Sequence, residues 1–174
     1  MAKNCLNKLA SNITVGCTIP QVGVKEIYLM HAEDTRFAYD AGGGLSGVIS
    51  EEGAKSYKIE GYKQNIQVTA SLKTTDASAR ADLSVTFKVP YSYSNSLFIN
   101  TLASGRFRVL VVFNDGGYTI TGDAAPLECS SVEFDSNTNA KMVTITLASP
   151  EGSAGNHLRI VTAQVANTII SKSV

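Results

Sequence analysis

The chain has 174 residues, 44% apolar and 17% charged, enough for one sizeable domain with its own core and no need of a metal or disulfide staple. Fifteen basic residues balance fifteen acidic ones, so no net field is available to hold a nucleic-acid backbone, and a DNA-coating role finds no support. No apolar run nears the roughly 18 residues of a membrane span. The polar start Met1-Ala2-Lys3-Asn4-Cys5 argues against a cleaved leader, so synthesis in a cytoplasm and no membrane partner are expected.

Residues 1–20 are weakly patterned and read as an N-terminal arm to a single domain. Period-two alternation then dominates. Ile27 and Leu29, with His31, share one strand face and Tyr28 and Met30 take the other; Arg36 to Tyr39 follows. Asp40-Ala41-Gly42-Gly43-Gly44 breaks the pattern as a flexible turn, making Asp40, Gly42, Gly43 and Gly44 a candidate contact loop. Leu45 to Ile49 and Ser56 to Tyr62 read as further short strands. Gln64 to Thr75 places Ile66, Val68, Ala70 and Leu72 on one face, and Ala81 to Val89 does the same with Leu83, Val85, Phe87 and Val89. The polar connector 74–80 joins them as an antiparallel hairpin, and Pro90, which has no N–H to donate, closes the second arm.

One segment reads as a short helix, capped by Ser94 or Asn95, striped by Leu97, Phe98 and Leu102, and ended by Gly105 in a left-handed conformation. Arg106 to Phe113 is a strongly apolar strand, Asn114-Asp115-Gly116-Gly117 turns, and Tyr118 to Gly122 returns. A last hairpin joins Leu127–Phe134 to Lys141–Ala148 through residues 135–139. Beyond Pro150 a loop-like stretch leads into a C-terminal tail, 151–174, whose part from Leu158 onward is apolar enough to pack on something. These features sum to a mainly β fold, an antiparallel sandwich or barrel of about eight to ten short strands with one short α-helix.

No constellation favours catalysis, and neither a cofactor nor a metal is expected. His31-Ala32-Glu33-Asp34 offers a base beside two acids but no HxH or HxxxH pair, and His157 sits in a Gly/Ser/Asn-rich loop. Gly44-Leu45-Ser46-Gly47 has the wrong spacing for a nucleophile elbow. Cys5, Cys17 and Cys129 are odd in number and far apart, which fits buried or half-buried free thiols better than a disulfide framework or a zinc site. Residues 40–44 lack the Lys-Ser/Thr of a phosphate loop, and Asp135 to Asn139 lacks the glycine and closing glutamate of a calcium loop. Tyr91 and Tyr93 stand before the helix, where aromatic residues either pack or stack on bases and sugars.

The segments Lys25–Asp34, Tyr57–Lys63, Leu102–Phe107, and Asn114–Gly122 with Pro126-Leu127-Glu128 fall in an order that resembles phage tail-tube and neck-ring proteins, particularly those of phages infecting Bacteroidetes. The resemblance covers roughly residues 20–150; the Gly42–Gly44 tip and the tail after Pro150 depart from it. It implies a non-enzymatic virion protein that closes into a ring, hexameric or dodecameric, in the tail tube or the portal-to-tail neck. It also implies adjacent tail or portal proteins as partners and DNA passing through without specific binding. The long hairpin is then the expected inter-subunit arm, with Thr74, Thr75, Asp76, Ser78 and Arg80 at its tip. The competing readings are a capsid decoration, fibre or carbohydrate-binding sandwich, against which the lack of Trp weighs, and a small cell-wall hydrolase.

Overall fold

The computed structural model describes residues 23–61, 65–75, 78–134, 141–150 and 158–174. Eleven strands and two helices are formed: β1 (Val24–His31), β2 (Thr35–Tyr39), β3 (Leu45–Ser50), β4 (Ser56–Glu60), β5 (Ile66–Thr75), β6 (Ser78–Pro90), α1 (Tyr93–Ser104), β7 (Arg106–Phe113), β8 (Tyr118–Thr121), β9 (Leu127–Phe134), β10 (Met142–Ala148), β11 (Arg159–Ile160) and α2 (Ala163–Ile170). The mainly β, antiparallel character read from the alternation holds.

Two walls face each other. One runs β4-β1-β7-β8-β11 and the other β9-β10-β6-β5, and they join where Arg106 and Phe107 of β7 pair with Glu128 and Leu127 of β9. Between them lies the main core: Ile27, Leu29, Val109 and Val111 from the first wall, Val85, Phe87, Ile145 and Leu147 from the second, capped by Ile99 and Leu102 of α1. A second core lies on the far side of the first wall, where Tyr28, Met30, Leu110 and Ile120 meet Leu45 of β3 and Val165, Ala166 and Ile169 of α2. β2 and β3 form a separate two-stranded sheet over this core. The centre of the first wall, β1 and β7, is thus buried on both faces, and removing each large apolar side chain from water contributes about 2 kcal/mol before entropy is charged against it.

Local chemistry differs from the sequence expectation in four places. The long hairpin is tighter than expected: its ladder continues through Thr74↔Ala79 to Thr75↔Ser78, so the connector shrinks from 74–80 to residues 76–77. Helix α1 begins after Ser92 rather than Ser94 or Asn95, and the Ser92 side chain makes no capping bond. Gly105 is extended (φ −91°), not left-handed; glycine is needed there because a Cβ would come within 2.4 Å of Phe107 Cζ. The tail after Leu158 supplies a second helix, α2, whose N-cap Thr162 accepts from the Val165 N–H through Oγ1. Among the described residues no helix is long and apolar enough to cross a membrane.

Candidate assembly surfaces

The hairpin β5–β6 is longer than the wall that supports it. β10 pairs with β6 only from Pro90 to Ser84, and the Ser149 N–H then donates to the Leu83 carbonyl (2.9 Å). The β5–β6 ladder runs on from Ser71↔Asp82 to Thr75↔Ser78, five further pairs with no third strand among the described residues. At about 3.4 Å per residue this ribbon extends some 15 Å past its support. Isolated two-stranded ribbons are marginal in water. Of the expected tip residues, Thr74, Thr75, Ser78 and Arg80 fall within the strands, and Asp76 lies outside the described residues.

The supporting wall has one covered face and one open face. Along β10, Val143, Ile145 and Leu147 are buried while their neighbours are half-buried. The open face is lined by hydroxyls that bond across strands: Thr69 to Ser84 (2.6 Å), Thr86 to Thr146 (3.1 Å), and Ser130 Oγ to the Thr146 carbonyl (3.1 Å). Such pairs satisfy the side chains locally and leave a polar sheet surface.

The Asp40–Gly44 tip is a built turn. The Asp40 carboxylate accepts from the Gly42 and Gly44 N–H groups (2.9 and 2.8 Å), Asp40 N–H donates to the Gly44 carbonyl (2.8 Å), and Gly43 N–H donates to that of Asp40 (3.0 Å). Gly43 has φ +78°, a left-handed conformation that favours glycine, and a Cβ on Gly44 would meet Asp40 Oδ2 at 2.7 Å and force the carboxylate to turn. The turn is fastened as well: Arg159 Nη1 donates to the Gly43 carbonyl (3.1 Å), and Arg159 Nε donates to the buried carboxylate of Asp123. Tyr39 Oη reaches the same carboxylate at 3.5 Å. The expected flexible loop is therefore an exposed but hydrogen-bonded knob, anchored on β11 and the β8–β9 connection.

Asp123 was not picked out by sequence reasoning, nor were Arg108 and Arg159. The Arg108 guanidinium lies 5.1 Å from the Phe37 ring centroid, and its Nε donates to the Gly122 carbonyl (3.2 Å). Burial lowers the pKa of Arg108, with Tyr39 and Asp123 opposing that shift. Arg108 Nη1 and Asp123 Oδ1 are buried with no hydrogen-bond partner among the described residues. The cluster ties β2, β7, the β8–β9 connection and β11 together; a fixed Asp–Arg pair of this kind holds position.

The described groups weighed for catalysis are engaged in other contacts. His31 packs edge-on against Tyr57 (5.8 Å) and against Phe107 (5.2 Å), and Glu33 pairs instead with Arg106 (2.8 Å). Burial pushes the Cys129 thiol up, away from the thiolate a nucleophile needs. Among the described residues no three His, Cys, Asp or Glu side chains converge as metal ligands. His157, Cys5, Cys17 and residues 135–139 lie outside the described residues. Tyr91 packs against Phe134 with the rings tilted (4.9 Å between centroids), whereas Tyr93 is 98% exposed beside Leu97, 75% exposed one turn later on α1.

No protein-family model matches the chain, no curated protein matches it, and no solved structure matches it.

Proposed function

We propose that the chain is a structural, non-enzymatic virion protein of a tailed phage that closes into a ring with copies of itself. Its place is the tail tube or the portal-to-tail neck, around the DNA conduit. The observation that carries the reading is the β5–β6 ribbon, which among the described residues outruns its own wall by five strand pairs. A two-stranded ribbon is marginal by itself and is stabilised by a neighbouring copy that adds backbone partners along an edge. A head-to-tail contact of this sort closes into a ring when its rotation permits. The hydroxyl-lined outer face of the second wall and the formal net charge of zero suit a surface past which DNA slides without being held.

Deleting residues 74–80 tests the arm. The variant is expected to keep its β circular dichroism and its cooperative melt while its mass in sedimentation falls to that of a monomer; normal rings from the shortened chain contradict the reading. A capsid decoration, fibre or carbohydrate-binding module is the second reading, supported by the exposure of Tyr93 and Leu97. Saturable glycan binding that is lost in Tyr93→Ala favours that one.

A further inference from the structure

A hollow of about 280 Å³ opens between α1 and the first wall. Leu29 and Leu102 are its buried members, and Leu97, 75% exposed, stands at its mouth. Four rings follow one another around it. Phe107 lies 5.2 Å from His31, His31 meets Tyr57 edge-on at 5.8 Å, and Tyr57 lies 6.4 Å from Phe98, all between centroids.

Strand pairing sets this order. His31 stands opposite Phe107 across β1 and β7, and Tyr57 stands opposite Leu29 across β1 and β4, so the period-two alternation turns all four to one face. Phe98 comes from α1. Each ring is thus carried by a different element, three strands and one helix, and backbone pairing sets the spacing between them. Gly105 contributes as well, since it lets the Phe107 ring lie close under the end of the helix.

The lining says what such a space would take. It holds no Lys, Arg, Asp or Glu, so it offers no counter-charge to an ion, and an ionised ligand would lose its hydration there without return. Its volume is about twice that of the ~150 Å³ apolar cavity that admits benzene, which sets the size at one or two fused rings. Its polar side chains are few: the Ser94 hydroxyl is shared with that of Ser92 (3.0 Å) and the Thr101 hydroxyl donates to the Leu97 carbonyl (2.9 Å), which leaves His31 and Tyr57 to meet a ligand's polar group. A concave, mostly apolar space with a few polar groups is the usual form of a small-molecule site.

We propose that this hollow binds a small uncharged aromatic molecule of one or two fused rings carrying a single hydroxyl or similar hydrogen-bonding group. The ligand's ring stands among Phe98, Tyr57, His31 and Phe107 in the offset or edge-to-face arrangements that aromatic quadrupoles favour. The inference stands apart from the virion-assembly reading, since every residue of the site belongs to one chain.

Two probes of like size test it: 2-naphthol, and its saturated counterpart decahydro-2-naphthol, each titrated into the full chain and followed by amide NMR. 2-Naphthol is expected to saturate shifts at Leu29, His31, Tyr57 and Leu102 with a dissociation constant of ~100 µM. Decahydro-2-naphthol, which has no aromatic face, is expected to bind at least ~5-fold more weakly. Tyr57→Leu keeps the bulk and loses the ring, and is expected to weaken 2-naphthol by about fivefold while the Val109 and Ile145 amides keep their parent positions. Shifts that never saturate, or that fall on amides away from α1, β1 and β4, overturn the proposal, as does equal binding of the two probes. Those results are read on the unaltered chain, whatever the variant does. Shifts at His31 and Tyr57 that follow the protein's own concentration with no probe added give the hollow to a second copy and overturn the small-molecule assignment.

Discussion

The two walls are built from the same kind of strand but bury different amounts of it. In β1 the four consecutive residues Ile27 to Met30 are buried, and in β7 the four from Val109 to Val112. In β6 and β10 burial skips every second residue: Leu83, Val85, Phe87 and Val89, then Val143, Ile145 and Leu147. The first wall has a core on each side of β1 and β7, so residues 27–30 and 109–112 all meet protein. The second has a core on one side and hydroxyls on the other. A strand's second face thus reveals whether its sheet is an inner wall or an outer one. Here the outer wall also carries the ribbon proposed to reach a neighbour.

Truncating adjacent residues tests that difference most strongly. Leu110 and Val111 are neighbours on opposite faces of β7 and both fully buried. Leu110→Ala is expected to cost about 3–4 kcal/mol and Val111→Ala about 2 kcal/mol in urea unfolding. On β10 only one parity is costly: Ile145→Ala about 3 kcal/mol, and Thr146→Ala under about 1 kcal/mol. Leu110→Ala as mild as Thr146→Ala contradicts the covering layer of β2, β3 and α2.

Next comes the anchor of that layer. Arg159→Ala leaves the Asp123 carboxylate buried without its cation. With Arg159 itself one-third exposed, a loss of about 2–3 kcal/mol is expected, at the lower end for breaking a buried pair. Faster amide exchange at Gly43 and Gly44 is expected as the knob comes loose. Thr162→Ala, which removes the α2 cap, is expected to cost about 0.5–1 kcal/mol; an unchanged urea midpoint contradicts the cap.

The smallest effect belongs to an exposed pair at the rim of the first wall. The Arg106 guanidinium, by its hydrogen bond, holds the Glu33 carboxyl below its ordinary value. A carboxyl depressed in the folded state adds stability above its unfolded pKa and loses it as pH falls through the folded one. Both groups are more than half exposed, so the contribution is about 0.3 kcal/mol at neutral pH and is screened by salt. In Arg106→Ala this acid-side slope is expected to shrink, the backbone hydrogen bond that also lowers the Glu33 carboxyl remaining; a slope unchanged from the parent chain contradicts the pairing.

Much of this was legible in the residues. Alternation along 83–89 and 143–147 located the outer wall and its inward face, and Ile27 and Leu29 were separated correctly from Tyr28 and Met30. What periodicity could not show is that both sets would be covered, because the cover comes from other segments, residues 35–50 and 158–170, and a strand's own alternation does not report them. Val165, Ala166, Ile169 and Ile170 do carry a helical stripe behind Thr162, but only over two turns, too few to outweigh the Gly-rich approach. The partnership of Asp123 with Arg159 joins residues 36 apart, which no local spacing encodes. Gly105 misled for a different reason: a glycine after a helix suggests a left-handed cap, and here it makes room for a phenylalanine ring. The hairpin tip was placed in the right segment but given too long a connector, since polar Thr/Ser/Ala residues do not announce that a ladder continues.

The most direct test of the ring reading is the mass of the purified full chain by light scattering, followed by negative-stain imaging. Closed rings or short tubes of one defined copy number, six or twelve, are the predicted result. A strict monomer of 18.4 kDa at high concentration, with no rings on the grid, contradicts it.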